Sequence, residues 1–284
     1  MPWAVFVAGL GVDKRFWAAP EEERILGGLF PLRIILGQAG QKAKTKKLRS
    51  LYHDLAGAGF TVAAFSFRRP SGGIEEALAG LEAVLDMVRA EGTKDVVLVG
   101  HSRGALVISK YLERKDPMIK GFVSIAAPHK GTSLARWAVA AAPAAMALKA
   151  AMGAGEPQSS IGVAVNRMLA FIQSPAVAEL LPGSPFFTGL KPPRTLCPSV
   201  SSGGTDPTLF SFLGMGFPEA LGKLAPGWAA PDEIKDGLGD GLVTAESAFY
   251  QHAREHLNFH VNHAESVFDG EARAALMKHI EGFF

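Results

Sequence analysis

The sequence predicts an α/β fold, a mostly parallel central sheet with helices on both faces and an apolar helical insertion above it. Three observations predict it. Strand-like and helix-like segments alternate from about Leu32 to Ala126. Within that alternation, the buried run Val96-Val97-Leu98-Val99 leads directly into Gly100-His101-Ser102-Arg103-Gly104 and an apolar helix. After Pro128 the alternation stops, and residues 132–192 read as helical and apolar with few charges.

Taken in order, the apolar segment Met1 to Leu10 reads as a strand. It has no basic n-region of the kind an export signal carries, which leaves open a cytoplasmic protein or a secreted one given in mature form. Leu32 to Leu36 is a short apolar run after Pro31. Lys44 to Ala58 has a helical pattern ending at Gly57 and Gly59, and Phe60 to Phe67 is rich in β-formers. Ile74 to Glu91 is helical, with Leu78, Leu81, Val84, Leu85 and Val88 on one face. The Val96–Val99 strand, a helix to about Arg114 and a strand from Ile119 to Ala126 follow. Past the insertion, Pro192 to Gly204 is rich in Gly, Pro and Ser and holds one more strand, around Thr195 to Ser201. Residues 205–235 are irregular, and sheet and helix signals return from Leu242 to the amphipathic Glu271–Phe284. The expected organisation is a core made of residues 1–131 and 193–284, with residues 132–192 as a helical cap.

Composition narrows the class. The 284 residues are 48% hydrophobic and 20% charged, enough apolar material for one large core. A net charge of +2 argues against nucleic acid as a partner. The one cysteine, Cys197, has no disulfide partner and no Cys-x-x-Cys companion for a metal. No transmembrane segment is expected, because the apolar stretch Leu134 to Met152 is alanine-rich and contains Arg136, Pro143 and Lys149.

The strand–turn–helix around Ser102 carries the chemistry. Gly-x-Ser-x-Gly at such a turn lifts the serine into a strained, exposed position at the positive end of a helix. Gly100 and Gly104 flank it where strand and helix come too close for a Cβ, whereas an ordinary capping serine needs neither glycine. A serine hydroxyl needs a base to take its proton, an acid to orient that base, and N–H donors for the oxyanion. In the chain order nucleophile, acid, base, the base comes last. Among eight histidines, His263 lies in a loop between a short β-like run and the final helix, where a base belongs. The acid lies in Asp236-Gly237-Leu238-Gly239-Asp240-Gly241-Leu242-Val243-Thr244, with Asp240 preferred, Asp236 the rival and Asp232 third. One oxyanion donor is the N–H of Arg103. The other is placed at Gln38, in the loop after Leu32–Leu36, in preference to Leu10, because residues 44–91 fill the helix and strand expected between that loop and the elbow.

These motifs together resemble bacterial lipases of the α/β-hydrolase fold, from about Leu32 to the C-terminus and least in the insertion. Gly-His-Ser-Arg-Gly is similar to the lipase Gly-His-Ser-x-Gly; Gly239-Asp240-Gly241-Leu242-Val243 to the segment carrying the catalytic aspartate; Asn262-His263 with Glu265 to the segment carrying the histidine. Ala127-Pro128-His129-Lys130-Gly131-Thr132 resembles the segment that enters the lid, and Leu181-Pro182-Gly183-Ser184-Pro185-Phe186 one near its end. The resemblance implies a serine carboxylester hydrolase with the triad Ser102, His263 and Asp240, acting on lipidic acyl esters at a lipid–water interface. The family usually has His-Gly in the oxyanion loop, where this chain has Leu36-Gly37. Some relatives hold calcium beside the histidine, where Glu265 falls here, but no partner carboxylate accompanies it, so no cofactor is expected to be required.

Trp137, Met146 and Met168 either line an acyl pocket or pack the cap. Lys42, Lys44, Lys46, Lys47 and Arg49 form a basic cluster that reads as a solvated helix start, or as an attraction to an anionic lipid surface. Two other classes remain open. The same triad serves acyltransferases, amidases and polyester hydrolases, and the same fold can persist as a non-catalytic binding protein.

Overall fold

The computed structural model describes residues 1–25, 28, 30–36, 47–136, 166, 170–209, 211–212, 215–216 and 231–284. Its centre is a six-stranded, fully parallel sheet in the order β10-β7-β6-β5-β1-β4. The strands are β1 (Trp3–Val7), β4 (Thr61–Phe65), β5 (Val96–His101), β6 (Ile119–Ile125), β7 (Ser199–Gly204) and β10 (Glu255–Phe259). Two short antiparallel pairs, β2 (Arg24–Ile25) with β3 (Phe30–Pro31) and β8 (Ser211–Phe212) with β9 (Met215–Gly216), lie outside it.

The sequence patterns explain the layers. β1 and β5 are near-continuous apolar runs because a parallel sheet is covered on both faces. Alternate residues serve opposite cores. Val5, Val7, Val96 and Leu98 pack with α3 (Ile74–Ala90) and α4 (Arg103–Tyr111), through Leu78, Leu81, Leu85, Leu106 and Val107. Ala4, Phe6, Val97 and Val99 pack with Phe16 and Trp17 of α1 (Arg15–Ala18), Leu51 and Leu55 of α2 (Leu51–Gly57), and Leu276 and Ile280 of the C-terminal helix (Gly270–Glu281). The expected strands and helices are largely where the patterns put them. Leu32 to Leu36, however, begins as a 3-10 turn over Leu32–Ile35, which suits an i, i+3 pair turned toward one core, with Leu32 fully buried. The strand expected around Thr195–Ser201 starts only at Ser199, because Thr195 Oγ1 is engaged with Arg114 O at 2.5 Å and Asp116 N at 2.8 Å and Pro198 follows.

The connectivity sets where a site can form. From β1 the chain crosses to β4 on one side and then returns past β1 to β5 on the other. Such a switch in winding direction opens a crevice at the carboxyl ends of the two strands that flank it, β1 and β5. Here those ends are the turn after Val7 and the turn at Ser102.

Of residues 132–192, the stretch expected to form a cap, the described helices are α5 (Pro175–Glu179) and α6 (Pro185–Gly189). Ser174 caps α5, its side chain accepting from Val177 N. The chain leaves the sheet after Ile125 and rejoins it at Ser199, and between them Thr132 N donates to Leu180 O at 2.9 Å. Among the described residues no helix is long and apolar enough to cross a membrane.

Candidate active site

Ser102 occupies the tip of the turn between β5 and α4 with φ 53° and ψ −129°. An L-residue held at positive φ is strained and persists only where its surroundings fix it. They do so here by close approach. A Cβ on Gly100 would lie 2.5 Å from Ala105 Cα, and one on Gly104 would meet Val7 O and lie 2.6 Å from Ala8 O. Ser102 N donates to Ile125 O at 2.8 Å, locking the tip to the neighbouring strand. The Arg103 N–H belongs to the first turn of α4, where helical backbone donors have no partner within the helix.

The expected base and acid meet. His263 Nδ1 donates to Asp240 Oδ2 at 2.8 Å, and both residues are buried. A carboxylate only accepts, so Nδ1 carries the proton and Nε2 is left as a base. The other carboxylate oxygen, Oδ1, accepts from Leu242 N at 2.9 Å and Val243 N at 2.7 Å. Backbone bonds brace the pair, with His263 N donating to Asp240 O at 2.9 Å and Asp240 N to Val243 O at 3.0 Å. Asp236 and Asp232 are exposed, and Asp232 pairs with Lys235 at the surface. His101, the residue before Ser102, donates from Nε2 to His263 O at 3.0 Å, and the two rings lie 4.7 Å apart. His263 is thereby held against the elbow.

The sequence profile of the alpha/beta hydrolase family matches residues 4–265 of this chain. The chain belongs to the alpha/beta hydrolase family. Solved structures of the same fold include a Bacillus licheniformis lipase in mature form, with a TM-score of 0.57 and 17% identity over 98% of this chain and 91% of that one. A Pyrococcus furiosus esterase superimposes with a TM-score of 0.52 and 13% identity over 99% of this chain and 82% of that one. At these identities the likeness is one of fold. No curated protein matches by sequence.

The family match begins at residue 4, so the N-terminal segment, left without a counterpart by the sequence motifs, is part of the hydrolase core. β1 is the strand that flanks the nucleophile strand, and the turn after it abuts the elbow: a Cβ on Gly9 would lie 3.0 Å from Ser102 Cβ. That corrects the ground on which Leu10 was set aside. The interval between the turn and the elbow is filled by the crossover to β4 and back, not by one helix and one strand. Gln38 itself lies outside the described residues, as do Trp137, Met146, Met168, Lys42, Lys44 and Lys46. Lys47 and Arg49 are exposed, with Arg49 reaching Asp54 at 3.4 Å.

Several residues of this alpha/beta hydrolase site went unread in the sequence. His101 is held neutral, its pKa pushed well below the usual value by burial and then by the neighbouring His263. Asn262 is a knot under the base. Its Nδ2 donates to Ile35 O at 3.0 Å and Thr208 O at 2.8 Å, and its Oδ1 accepts from Ala264 N and Glu265 N. His129 shares a 2.7 Å hydrogen bond with Ser124 Oγ, and burial, followed by the nearby His256 and His252, lowers its pKa to about 3. Their positions beside the serine, the base and the lid-entry motif are the signal that could have found them. Glu265 is buried, and its Oε2 accepts from Asn262 N at 3.3 Å. Among the described residues no three His, Cys, Asp or Glu side chains gather as a metal site.

Proposed function

We propose that this alpha/beta hydrolase is a serine carboxylester hydrolase that works through an acyl-enzyme. The observation that carries the reading is the strained Ser102 at the crevice, with the His263–Asp240 pair fastened to the same elbow through His101. Ser102 Oγ attacks the ester carbonyl carbon while its proton passes to His263 Nε2, and the carbonyl oxygen becomes an oxyanion. The N–H groups of Arg103 and Leu10 receive that charge, Leu10 replacing Gln38 in this role because its turn lies against Ser102. The intermediate collapses, the C–O bond to the alcohol breaks, and the imidazolium returns its proton to the leaving oxygen. Water then attacks the acyl-enzyme, gives its proton to His263, and Ser102 regains a proton as the acid departs. Asp240 orients His263 and stabilises the imidazolium.

The substrate class we assign is an ester with an apolar acyl chain, the insertion of residues 132–192 acting as its cap. Support comes from the apolar composition of the insertion and from Leu238 and Leu242, exposed by 50% and 40% on the loop that carries Asp240. Ser102→Ala is expected to lower kcat by at least about 10³-fold with the fold intact. Undiminished hydrolysis of p-nitrophenyl esters by the pure variant would overturn the triad. Covalent labelling of Ser102 by a fluorophosphonate separates the enzyme from a binding protein on the same fold. An acyl-acceptor competition assay separates hydrolysis from acyl transfer.

A further inference from the structure

Arg103 has a side chain that the steps above do not use. Its guanidinium is almost fully buried, at 1% exposure, and turns toward the loop before α3 and toward α5. Nη2 donates to Gly72 O at 2.7 Å and to Glu179 Oε2 at 3.1 Å, while Nε and Nη1 are buried with no hydrogen-bond partner among the described residues. Glu179 ends α5, and its other oxygen, Oε1, accepts at 2.8 Å from the N–H of Ile74, the first residue of α3. Burying a cation with two unmet donors costs stability that an apolar side chain of similar volume would not. The reason for an arginine here lies in what it joins.

The connections run along the root of the insertion. Leu180, next to Glu179, accepts from Thr132 N, in the segment that follows β6. Glu233, buried in the loop that carries Asp240, accepts from Thr132 Oγ1 at 3.0 Å, Ser133 N at 2.6 Å and Ser133 Oγ at 2.6 Å. Thr132 Oγ1 also donates to Leu242 O at 2.7 Å. An unbroken line of contacts therefore passes from the elbow through Glu179, Leu180 and Thr132 to the acid loop.

We propose that Arg103 and Glu179 form a clasp through which the root of the insertion positions the nucleophile elbow, so that Ser102 reaches full reactivity only with α5 seated. The proposal rests on the ester-hydrolase reading. A positive-φ serine keeps its geometry only while its surroundings over-determine it. The clasp holds the first turn of α4, which carries both Ser102 and the Arg103 N–H, to the first turn of α3 and the end of α5. Its loss lets that turn relax, and misplacement of reacting groups acts on the chemical step.

The test compares fluorophosphonate labelling rate, kcat, KM and Tm in the wild type, Glu179→Gln, Arg103→Met, Arg103→Lys and Glu82→Gln. Glu179→Gln retains an oxygen for Ile74 N and sets an NH2 against Arg103 Nη2 in place of Oε2, which removes both the charge and the acceptor of the clasp. Glu82 sits in an exposed pair with Arg114 and serves as the control. Labelling rate and kcat are expected to fall about tenfold in Glu179→Gln and about a hundredfold in Arg103→Met, with KM changed less than about twofold. Arg103→Lys recovers part of the loss, and Glu82→Gln matches the wild type. Labelling of Glu179→Gln at the wild-type rate overturns the clasp, as does a rise in KM with kcat unchanged, or a loss of activity that only tracks the unfolded fraction. Should Arg103→Met not fold, Glu179→Gln decides. A wild type that is not labelled at all overturns the hydrolase reading instead.

Discussion

Ser102 and Asp240 both sit at the carboxyl end of the sheet, beyond β5 and β7, yet they are held there in different ways. The serine is placed by atoms that cannot be compressed: Gly100 lies against Ala105, and Gly104 against Val7 and Ala8. The acid is placed by hydrogen bonds, two from backbone N–H groups to Oδ1 and one from His263 to Oδ2, in a loop pinned by Glu233 and facing the knot at Asn262. Steric placement is local and all-or-none, because one added methyl has nowhere to go. Hydrogen-bonded placement is spread over distant residues and fails by degrees.

The largest expected effect breaks the second kind of placement at its centre. In Asp240→Asn, an amide oxygen keeps the two backbone donors at Oδ1, but an NH2 then faces His263 Nδ1 and selects the wrong tautomer. kcat is expected to fall about 10⁴-fold with Tm little changed. Asp236→Asn, at an exposed position, is expected to stay within about twofold of the wild type. Steady-state kinetics on both variants checks this, and a greater loss in Asp236→Asn would move the acid. Gly104→Ala tests the first kind of placement. It is expected to cost about 2 kcal/mol or more of stability in chemical denaturation and to abolish labelling of Ser102. A normally stable, active Gly104→Ala protein would show that elbow and β1 can part, contrary to the steric account.

The same contrast explains what the sequence makes legible. The elbow is written in contiguous residues, so Ser102, Gly100 and Gly104 can be read from one strand–turn–helix. Asp240 and His263 can be read from glycine-flanked and strand-end positions, although their hydrogen bond spans a break of 23 residues in sequence. Chain order is a poor guide to spatial order in a doubly wound sheet: β1, the first strand, lies between β5 and β4, beside the strand that leads to Ser102. Its apolar run gives its burial but not its neighbours. Arg103–Glu179 and Glu233–Ser133 join residues 76 and 100 apart. No periodicity or motif reports such pairs, since Arg103, Glu179 and Glu233 each read alone as a surface charge and Ser133 as an ordinary loop residue.

A smaller effect is expected at His101. His101→Phe keeps an aromatic ring stacked on Phe16, which lies 4.9 Å away, and removes the 3.0 Å bond to His263 O. The base then loses one of several supports, and kcat is expected to fall about tenfold, the loss of a single hydrogen bond to a positioned group. A drop as large as that of Asp240→Asn would show the base to be held at one point rather than many.

The smallest effect concerns the turn after β1, through Glu23. This carboxyl is buried, and its pKa is raised to about 7 by burial and then by its contact with Asp13. For Asp13, burial pulls upward but the hydrogen bonds from Arg15 prevail and hold it low. With an unperturbed value of 4.5, Glu23 is protonated in both folded and unfolded chains at lower pH, and its contribution to stability is then fully present. As pH rises from 4.5 through about 7, the unfolded chain gives up the proton before the folded chain does, and the contribution is lost. Buried His129 acts in the opposite sense. Its contribution is complete above 6.5 and is lost as pH falls toward about 3. Glu23→Gln isolates the first arm, because the histidine arm is common to both proteins and cancels in the difference. The variant is expected to be more stable than the wild type by on the order of 2 kcal/mol at about pH 8, with the gap closing toward about pH 4.5. Thermal denaturation across that range reads it, and a gap that does not change with pH would show that Glu23 keeps no proton in the folded chain.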